Sequence, residues 1–522
     1  MKIQTTDQQR DTDLKIFRQP TKRTGKHDET KCFEGKKYDR KMKFAMCCAE
    51  DINPGFGYVF AYLKQQGHDV RLFFDPKQGD RGYQRNNIIA KLFGIQDWLI
   101  KEMKEWKPDI VCFTVLSATY QWGVKFAERV KKEVKDDNGN PTHIIFGGTM
   151  PTLVPEIVAE NWFIDEIVQG DGVRHFGGKF EPDNLWPERD AFFDELPPEH
   201  RHTQLFMTSY GCPYNCTFCG NQQLREVGQY VKLKRTVKSC IDELKMMKEK
   251  YGLKNVLFVD DILTLDKKWL MEFLPEYRKH VNCPFACFGH VNCIDEEMVK
   301  EMALSKCQTM WFGIQSGCGH HRKEILDRPE TNEQIIKVAK WVKDNGIKLM
   351  VDHISGLPFE SDLTHDLSYA LYEQIKADVI NVYECLYFPK AKINEYALKC
   401  GYLQESDIEK INRGKHVVYQ QGNHGHKFFD KYAKAIVSLP LGGGAWELAP
   451  MALIKLFVHL RAGRGYIANA MIQNEMFFTY RAILKKLGLL KHMDTYKGKI
   501  PWYANFGGIH TSRPQTWAKV SN

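Results

Sequence analysis

The stretch TSYGCPYNCTFCGNQ, residues 208–222, places Cys212, Cys216 and Cys219 in one short loop. The apolar run LFMTSYG that leads into this loop has the pattern of a strand. A Cys-x3-Cys-x2-Cys loop can turn three thiolates toward one region, and three thiolates suit an iron–sulfur cube whose fourth iron keeps no protein ligand. The spacing therefore predicts a cluster with one open coordination position, which an external chelating ligand could occupy.

Two other interpretations of the three cysteines stay open on spacing alone. A structural zinc site needs a fourth ligand and a closed tetrahedron, but the next cysteine, Cys240, falls inside a predicted helix. Inert thiols are the second alternative. A disulfide is disfavoured by the odd number of cysteines in the loop and by the reducing compartment that the whole chain suggests.

The composition is that of a multidomain protein from a reducing compartment. A chain of 522 residues suffices for roughly two to four domains, and its 43% hydrophobic content is ordinary for a soluble protein. Fifteen cysteines without a secretory signal favour free or metal-bound thiols, so we expect a cytoplasmic protein. The net charge of +9 is too dilute to predict a nucleic-acid partner, and the sequence predicts no membrane span.

Strand and helix patterns alternate in two consecutive parts of the chain. Between residues 41 and 195 the alternation predicts a doubly wound, Rossmann-like α/β domain with a parallel sheet. Between 196 and 400 six further strand–helix units predict a (β/α)6 partial TIM barrel, whose active site lies at the carboxyl ends of its strands. Residues 1–40 predict a polar tail, and the apolar segments within 401–522 predict a helical C-terminal domain.

The cysteine loop, with Phe218 just before its last cysteine, resembles the motif of the radical S-adenosylmethionine (SAM) enzymes. The resemblance implies a [4Fe-4S] cluster on Cys212, Cys216 and Cys219. It also implies that SAM chelates the open iron and is cleaved by one electron to a 5′-deoxyadenosyl radical. An electron donor such as a flavodoxin or ferredoxin is the partner that this chemistry requires.

Three further segments resemble the strand ends that contact SAM in this family. FVDD (258–261) resembles the acidic segment near the SAM amino group, FGIQSG (312–317) the segment near the ribose and carboxylate, and HISGLP (353–358) the turn beside the adenine. Gln315 stands where the family commonly has Glu, and it keeps hydrogen-bonding capacity without the charge. For the two aspartates a helix N-cap is the alternative role. The SAM-binding residues that the resemblance implies are Phe218, Asp260, Asp261, Gln315, Ser316 and Gly356.

The preceding α/β part resembles the cobalamin-binding domain that is fused ahead of many radical SAM barrels, in KPDIVCFTVLSATY, IIFGGTMPTLVPE and DEIVQGDG. In that fold the nucleotide tail of cobalamin enters beside the Gly-Gly turn, because glycines let the backbone approach closely. The loop at residues 50–57 lacks the histidine of the Asp-x-His-x-x-Gly pattern, so the resemblance implies cobalamin without a histidine ligand. The implied cobalamin-binding residues are Asp51, Asn53, Ser117, Thr119, Gly147, Gly148 and Thr149.

Other functions remain open beside these resemblances. The α/β part could be a plain nucleotide-binding or flavodoxin-like domain, although its first loop is not a Gly-x-Gly-x-x-Gly phosphate loop. The chain could then be an iron–sulfur enzyme without cobalamin. A non-catalytic cobalamin or iron–sulfur sensor is a further alternative.

The leading hypothesis is a cobalamin-dependent radical SAM methyltransferase. The family resemblance implies methylation of an unactivated carbon or of phosphorus, with a 5′-deoxyadenosyl radical acting on the substrate and methylcobalamin supplying the methyl group. Radical cyclisation or rearrangement without net methyl transfer is the second hypothesis on the same scaffold. The substrate, whether small molecule, peptide or lipid, is not identified by the sequence.

A few residues outside these motifs are also candidates. His290, Tyr383 and Tyr387 lie at or near predicted strand ends of the barrel and could face the substrate. Cys283, Cys287 and Cys293 are spaced closely enough for a second cluster, but strand alternation sends neighbouring residues to opposite faces and favours core thiols.

Overall fold

Two all-parallel sheets organise the residues that the computed structural model describes, which are 38–49, 54–76, 80–81, 84–85, 94–193, 195, 201–226 and 233–415. The predicted tail up to residue 37 lies outside these ranges. So do residues 416–522, which include the apolar segments predicted as C-terminal helices. Among the helices of the described ranges, none combines the length and the apolar character needed to cross a bilayer.

The first sheet has five strands in the order β2-β1-β5-β6-β7, and all of them lie between residues 41 and 195. The strand order reverses between β1 and β5, which is the switch point where ligands bind in doubly wound sheets. A short antiparallel pair, β3 with β4, follows β2. The strand bounds are β1 Lys43–Ala49, β2 Asp69–Asp75, β3 Asp80–Arg81, β4 Gln84–Arg85, β5 Ile110–Thr114, β6 His143–Gly147 and β7 Glu166–Ile167.

Apolar clusters cover both faces of this first sheet. Along β1, Phe44 and Met46 enter one cluster, while Ala45 and Cys47 enter another on the opposite face. This follows from the two-residue period of a strand, and it explains why the strand reads as a continuous apolar run. The associated helices are α1 Pro54–Gln65, α2 Gln96–Trp106, α3 Tyr120–Glu133, α4 Thr149–Leu153, α5 Pro155–Ala159, α6 Gly172–His175 and α7 Asp190–Phe193.

The second sheet has six parallel strands in the order β15-β14-β13-β12-β11-β8, as the partial-barrel prediction requires. A short antiparallel pair, β9 with β10, lies beside the cysteine loop. The strand bounds are β8 Thr203–Phe206, β9 Ser209–Tyr210, β10 Leu233–Lys234, β11 Asn255–Phe258, β12 Phe285–Gly289, β13 Cys307–Gln315, β14 Lys348–Ser355 and β15 Val379–Glu384.

A single large apolar cluster covers the outer face of the barrel sheet, where the helices pack. Met310 and Phe312 of β13 belong to it, whereas Trp311 and Gly313 point to the opposite, inner face. The outer helices are α8 Gly220–Glu226, α9 Val237–Tyr251, α10 Lys267–His280, α11 Glu296–Leu304, α12 Gly319–Glu324, α13 Asn332–Asp344 and α14 Asp362–Ile375. Two further helices, α15 Ile393–Lys399 and α16 Glu405–Asn412, follow the last strand.

Local sequence signals mark the helix ends. Thr331 and Gln334 form a capping box at the start of α13, in which the side chain of each accepts a hydrogen bond from the backbone N–H of the other. Gly252 ends α9 in the left-handed region at φ 62°, and Gly346 follows α13 at φ 72°. These local signals set the helix lengths and thereby the positions of the strand ends.

Candidate functional site

The three cysteines lie in the loop between β9 and α8, beyond the carboxyl end of β8. Cys216 is buried, and Cys212 and Cys219 are half-buried. The Cys219 backbone N–H donates to the Cys216 carbonyl oxygen at 3.0 Å, which closes the loop. Arg225 of α8 donates to the carbonyl oxygens of Cys212 and of Tyr214, the latter at 2.7 Å. The loop is therefore held by its own helix, and none of its three thiols forms a disulfide.

The three thiols are close enough to affect one another electrostatically. The pKa of Cys212 is raised to about 11, mainly by burial and in smaller part by Asp261, Cys216 and Cys219. Burial also raises the pKa of Cys216 and of Cys219, while Arg328 opposes the shift at Cys216. Across the described ranges, no three Cys, His, Asp or Glu side chains converge as ligands of one metal ion. A cube places each thiolate on a different iron, so three thiols presented by one short loop fit a [4Fe-4S] cluster.

His290 lies directly after β12 and faces the cysteine loop. Its ring stacks on Tyr214 with the centroids 3.9 Å apart, and its Nδ1 accepts from the Asn292 N–H at 3.2 Å. Burial first and Arg328 second lower the pKa of His290 to about 4, so the ring is neutral at physiological pH. The Tyr214 hydroxyl contacts the Cys293 thiol at 3.1 Å. His290 is thus part of the wall beside the cluster loop.

The two predicted aspartates have different surroundings. Asp260 is fully buried, and its carboxylate accepts hydrogen bonds from the backbone N–H of Thr208 and from the hydroxyls of Thr208 and Ser209, at 2.6 and 2.5 Å. Asp260 therefore fixes the entry to the cysteine loop. Asp261 is exposed, accepts from the Asn221 amide at 2.9 Å and faces the cavity described below.

The segments predicted to hold SAM meet at one sheet edge. Gln315 ends β13 with φ 67° and pairs in register with His353 of β14. Its Oε1 atom is buried without a hydrogen-bond partner among the described residues, as expected of a group that awaits a ligand. Ser316 follows, buried, and accepts from the Cys318 N–H at 3.3 Å. Gly356 adopts φ 76°, a conformation that favours glycine.

The three aromatic candidates, Phe218, Tyr383 and Tyr387, occupy two different places in the barrel. Phe218 and Tyr387 belong to one apolar cluster beyond β15, in which Tyr387 is buried with its hydroxyl unpaired among the described residues. Burial raises the pKa of Tyr387, so the phenol stays neutral. Tyr383 lies on β15 in register with Ile354 and is half-buried on the inner face of the barrel. Of the two tyrosines, Tyr383 has the position expected of a substrate-facing residue.

A cavity of about 390 Å³ lies between the carboxyl edge of the first sheet and the cysteine loop. Its walls include Gly147, Gly148 and Thr149 on one side, and Cys212 and Asp261 on the other. Tyr58 of α1 and Tyr210 of β9 line it as well, and their hydroxyls are hydrogen-bonded to each other. The residues predicted for cobalamin and for the cluster thus open onto one space.

The glycine turn fits close contact between the backbone and a ligand. Gly148 has φ 104°, and a Cβ atom there would lie 2.6 Å from the Val115 carbonyl oxygen, which no side chain can accommodate. At Gly147 a Cβ atom would meet Val168 at 3.5 Å, an ordinary contact. Gly170 and Gly172 also line the cavity, so much of its wall on this side is bare backbone. This cradle suits the nucleotide tail of cobalamin.

Two predicted cobalamin contacts lie away from the cavity wall. The Thr119 hydroxyl is buried and accepts from the Leu116 N–H at 3.0 Å, and the Ser117 hydroxyl contacts Met150 sulfur at 3.6 Å. Both residues form the turn that leads into α3. Asp51 and Asn53 fall outside the described residues. Of the residues predicted for this site, the structure brings Gly147, Gly148 and Thr149 together.

Sequence reasoning missed several residues of the site. Thr114 and Thr152 line the cavity, and Thr152 links the Gly148 carbonyl oxygen to the Gly170 N–H at 2.7 and 3.0 Å. Arg328 lies 3.5 Å from the Cys216 sulfur. Thr152 lies four residues after Gly148, which is one helical turn, and this spacing could have placed its hydroxyl beside the glycine turn. No local signal identified Arg328, which is far from the cysteine loop in sequence.

Asp352 was also missed, although β14 alternation places it opposite Val351. Its carboxylate accepts from Trp311 Nε1 at 2.5 Å and from the Asn381 amide at 3.0 Å on the inner face of the barrel. Burial raises its pKa to about 6. As predicted, Cys283 and Cys287 are core thiols, whereas Cys293 is half-buried against Tyr214.

Family models match both parts of the chain. The model of the B12 binding domain matches residues 50–177, and that of the radical SAM superfamily matches residues 206–367. The chain belongs to the cobalamin-binding radical SAM enzymes. The cofactors that these domains use are a [4Fe-4S] cluster, SAM and cobalamin, and the residues above fit each of them.

Curated relatives of this radical SAM enzyme carry two kinds of activity in their names. An uncharacterized methyltransferase of Pyrococcus horikoshii is 26% identical over 475 residues, covering 82% of this chain and 94% of the relative. An anaerobic magnesium-protoporphyrin IX monomethyl ester cyclase of Rubrivivax gelatinosus is 20% identical, covering 62% of each chain.

A solved structure has the same fold. The radical SAM methyltransferase TsrM of Kitasatospora setae, determined with cobalamin and a [4Fe-4S] cluster, superposes with a TM-score of 0.53 at 14% identity. The match covers 70% of this chain and 79% of that one.

Proposed function

We propose that this radical SAM enzyme is a cobalamin-dependent methyltransferase that methylates an unactivated carbon or phosphorus atom. The observation that carries the proposal is the shared cavity, in which the Gly147–Gly148 turn and the Cys212 loop face each other. Methyl transfer through two cofactors requires them to be adjacent. The methyltransferase of Pyrococcus horikoshii, which matches over most of both chains, supports the same reaction class.

Each wall of the site has a separate task in this proposal. When bound, the cluster with SAM supplies a radical and cobalamin supplies a methyl group. Cys212, Cys216 and Cys219 hold the cluster, and Arg225 keeps their loop in place. Residues at the ends of β13 and β14 bind SAM through backbone and through groups such as Gln315 Oε1.

The inner face of the barrel is the proposed substrate side. Tyr383 and Asp352 are half-buried there, and the neutral ring of His290 closes the wall beside the cluster loop. On the same face Trp311, Met350 and Val379 form a small apolar cluster that helps to exclude water, and exclusion of water protects a radical from quenching. A flavodoxin or ferredoxin is the proposed electron donor. Because three thiols must stay reduced, we place the protein in a reducing compartment such as the cytoplasm.

The test is anaerobic reconstitution of the full chain with iron, sulfide and hydroxocobalamin, followed by SAM and a low-potential reductant. Mass spectrometry should detect both 5′-deoxyadenosine and S-adenosylhomocysteine. Cys212→Ala should lower 5′-deoxyadenosine at least 100-fold. Cys400→Ala is the matched control, because Cys400 is also half-buried but lies after α15, away from the site.

The products also separate the alternatives. Deoxyadenosine without S-adenosylhomocysteine would favour a cyclase or rearrangement enzyme, an outcome consistent with the Rubrivivax relative. Loaded protein that yields neither product would contradict the proposal and favour a sensor. Zinc in place of iron and sulfide in the purified protein would contradict the cluster itself.

A further inference from the structure

Arg328 is a buried cation placed directly against the cluster loop. It lies between α12 and α13 and is 7% exposed. Its Nη1 lies 3.5 Å from the Cys216 sulfur, and its Nη2 donates to the Gly313 carbonyl oxygen at 2.5 Å. Its Nε donates to Glu330 at 2.6 Å. The guanidinium therefore joins the cysteine loop to the inner face of β13.

The arrangement is more specific than a structural ion pair requires. Glu330 is itself 2% exposed and balances the charge of Arg328, so the sulfur contact is not needed to neutralise the buried cation. The planar fork of arginine nevertheless directs one N–H toward the sulfur atom. Arg225 of α8 provides a comparison at the same loop, because its hydrogen bonds go to the carbonyl oxygens of Cys212 and Tyr214 and to the amide oxygen of Asn215.

We propose that Arg328 raises the reduction potential of the cluster by donating a hydrogen bond to the Cys216 thiolate. A cluster that gains one electron from an external low-potential donor becomes more negative by one charge. A hydrogen bond to a ligating sulfur and a nearby positive charge both stabilise this reduced form. Arg328 is thus a positioning and tuning residue for the electron that cleaves SAM.

This inference rests on the proposed cluster, but its test needs neither substrate nor cobalamin. The full chain is reconstituted with iron and sulfide alone and titrated with dithionite against redox mediators. Electron paramagnetic resonance reports the reduced cluster. If methyl transfer fails, the reduction potential of the cluster can still be measured and the inference can still be tested. If the wild-type chain binds no cluster at all, the proposed function is contradicted.

The variants separate charge, hydrogen bond and structure. Arg328→Gln combined with Glu330→Gln removes the sulfur contact while the net charge of the pair stays zero, so no buried charge is left unpaired. We expect its equilibrium constant for one-electron reduction to fall at least tenfold, which lowers the midpoint potential by about 59 mV. Arg328→Lys keeps the charge but loses the fork, so a smaller decrease is expected. Arg225→Lys is the control, and it should lower iron content without shifting the potential of the clusters that form.

Two results would overturn the proposal. An unchanged midpoint potential in the double variant, with a full complement of iron, would show that the sulfur contact does not tune the cluster. A folded double variant that holds no cluster would also count against it, because Arg328 would then be a requirement for assembly. A folded structure is checked by circular dichroism for every variant.

Discussion

The first sheet and the barrel sheet are both entirely parallel, yet they present different groups to a ligand. Apolar clusters cover the first sheet on two faces, as the alternation of Phe44 and Ala45 shows. Only its carboxyl edge remains open to a ligand, and that edge presents the backbone of glycine residues. The barrel sheet is covered on one face. Its inner face keeps polar side chains such as Asp352 and Asn381.

The number of covered faces therefore decides what kind of contact a parallel sheet can offer. A sheet buried on both faces holds a ligand at its edge, mainly through turns that follow its strands. A sheet with one open face can also present side chains along its strands, and so can shape a chamber. In this chain the carboxyl edge of the first sheet and the cysteine loop of the barrel line one cavity, whose walls include Gly148 and Cys212.

The edge of the first sheet is most sensitive at Gly148. Gly148→Ala should destabilise the domain by roughly 3 kcal/mol or more, because the residue has φ 104° and its Cβ would collide with the Val115 carbonyl oxygen. Gly147→Ala is the matched control, with only an ordinary contact to Val168. Chemical denaturation measures the difference. Equal stability of the two variants would show that bare backbone is not required at this edge.

At the barrel edge the two adjacent aspartates should behave differently. Asp260→Asn weakens the buried bonds to Thr208 and Ser209 and should cost about 2–3 kcal/mol, with less iron bound after reconstitution. Asp261→Asn changes an exposed side chain and should alter stability by less than about 0.5 kcal/mol. Thermal unfolding and iron analysis test both. If Asp261→Asn proves the more damaging for folding, the roles assigned here are reversed.

The covered face of the barrel sheet contains a histidine that should make stability depend on pH. His353 is fully buried on β14, its ring contacts the Tyr372 hydroxyl at 2.8 Å, and burial lowers its pKa to about 3. The unfolded chain then binds the extra proton below about pH 6.5, so stability is lost as the pH falls through this window. Between pH 7 and 5 the loss should be ~2 kcal/mol.

Replacing this histidine isolates its contribution. His353→Gln removes the titrating group, so its unfolding free energy should fall less steeply with decreasing pH than that of the wild type. Urea denaturation at pH 7, 6 and 5 measures both slopes. Parallel curves would mean that His353 does not contribute to the pH dependence.

The smallest effect tests the two faces directly. Val256→Thr places a hydroxyl in the covered face of β11 and should cost about 1–2 kcal/mol. Val259→Thr, at a half-buried position on the other side, should cost less than about 0.5 kcal/mol. Val111→Thr in the first sheet should resemble Val256→Thr, because that sheet has no open face. Similar losses at all three positions would remove the distinction between the sheets.

Much of the fold could be predicted from local sequence patterns. Apolar runs separated by amphipathic helices predicted both parallel sheets, and the Thr-x-x-Gln spacing of Thr331 and Gln334 is a helix-start pattern that forms a capping box in the structure. The Cys212 loop predicted the cluster site because its three ligands are adjacent in sequence. These features depend on the periodicity of strands and helices and on short-range spacing.

The finer assignment of the site could not be predicted in the same way. Ser117 and Thr119 have the right chemistry for the cavity but lie in the turn before α3, while Thr114 and Thr152 line its wall. A shift of a few residues at a strand end decides which hydroxyl faces a ligand. Asp260, which follows β11, likewise accepts a hydrogen bond from Thr208, which follows β8. This contact depends on the pairing of β8 with β11.

The sequence by itself determined the two parallel sheets, the cysteine loop and the family, because each depends on patterns among residues that are close together in the chain. The tertiary structure alone decided that Gly148 and Cys212 share a cavity, and that Arg328 meets Cys216 across 112 positions of the chain. Such contacts arise when separate strands are brought into register and their loops converge at one edge. That convergence is a property of packing, which spacing along the chain does not encode.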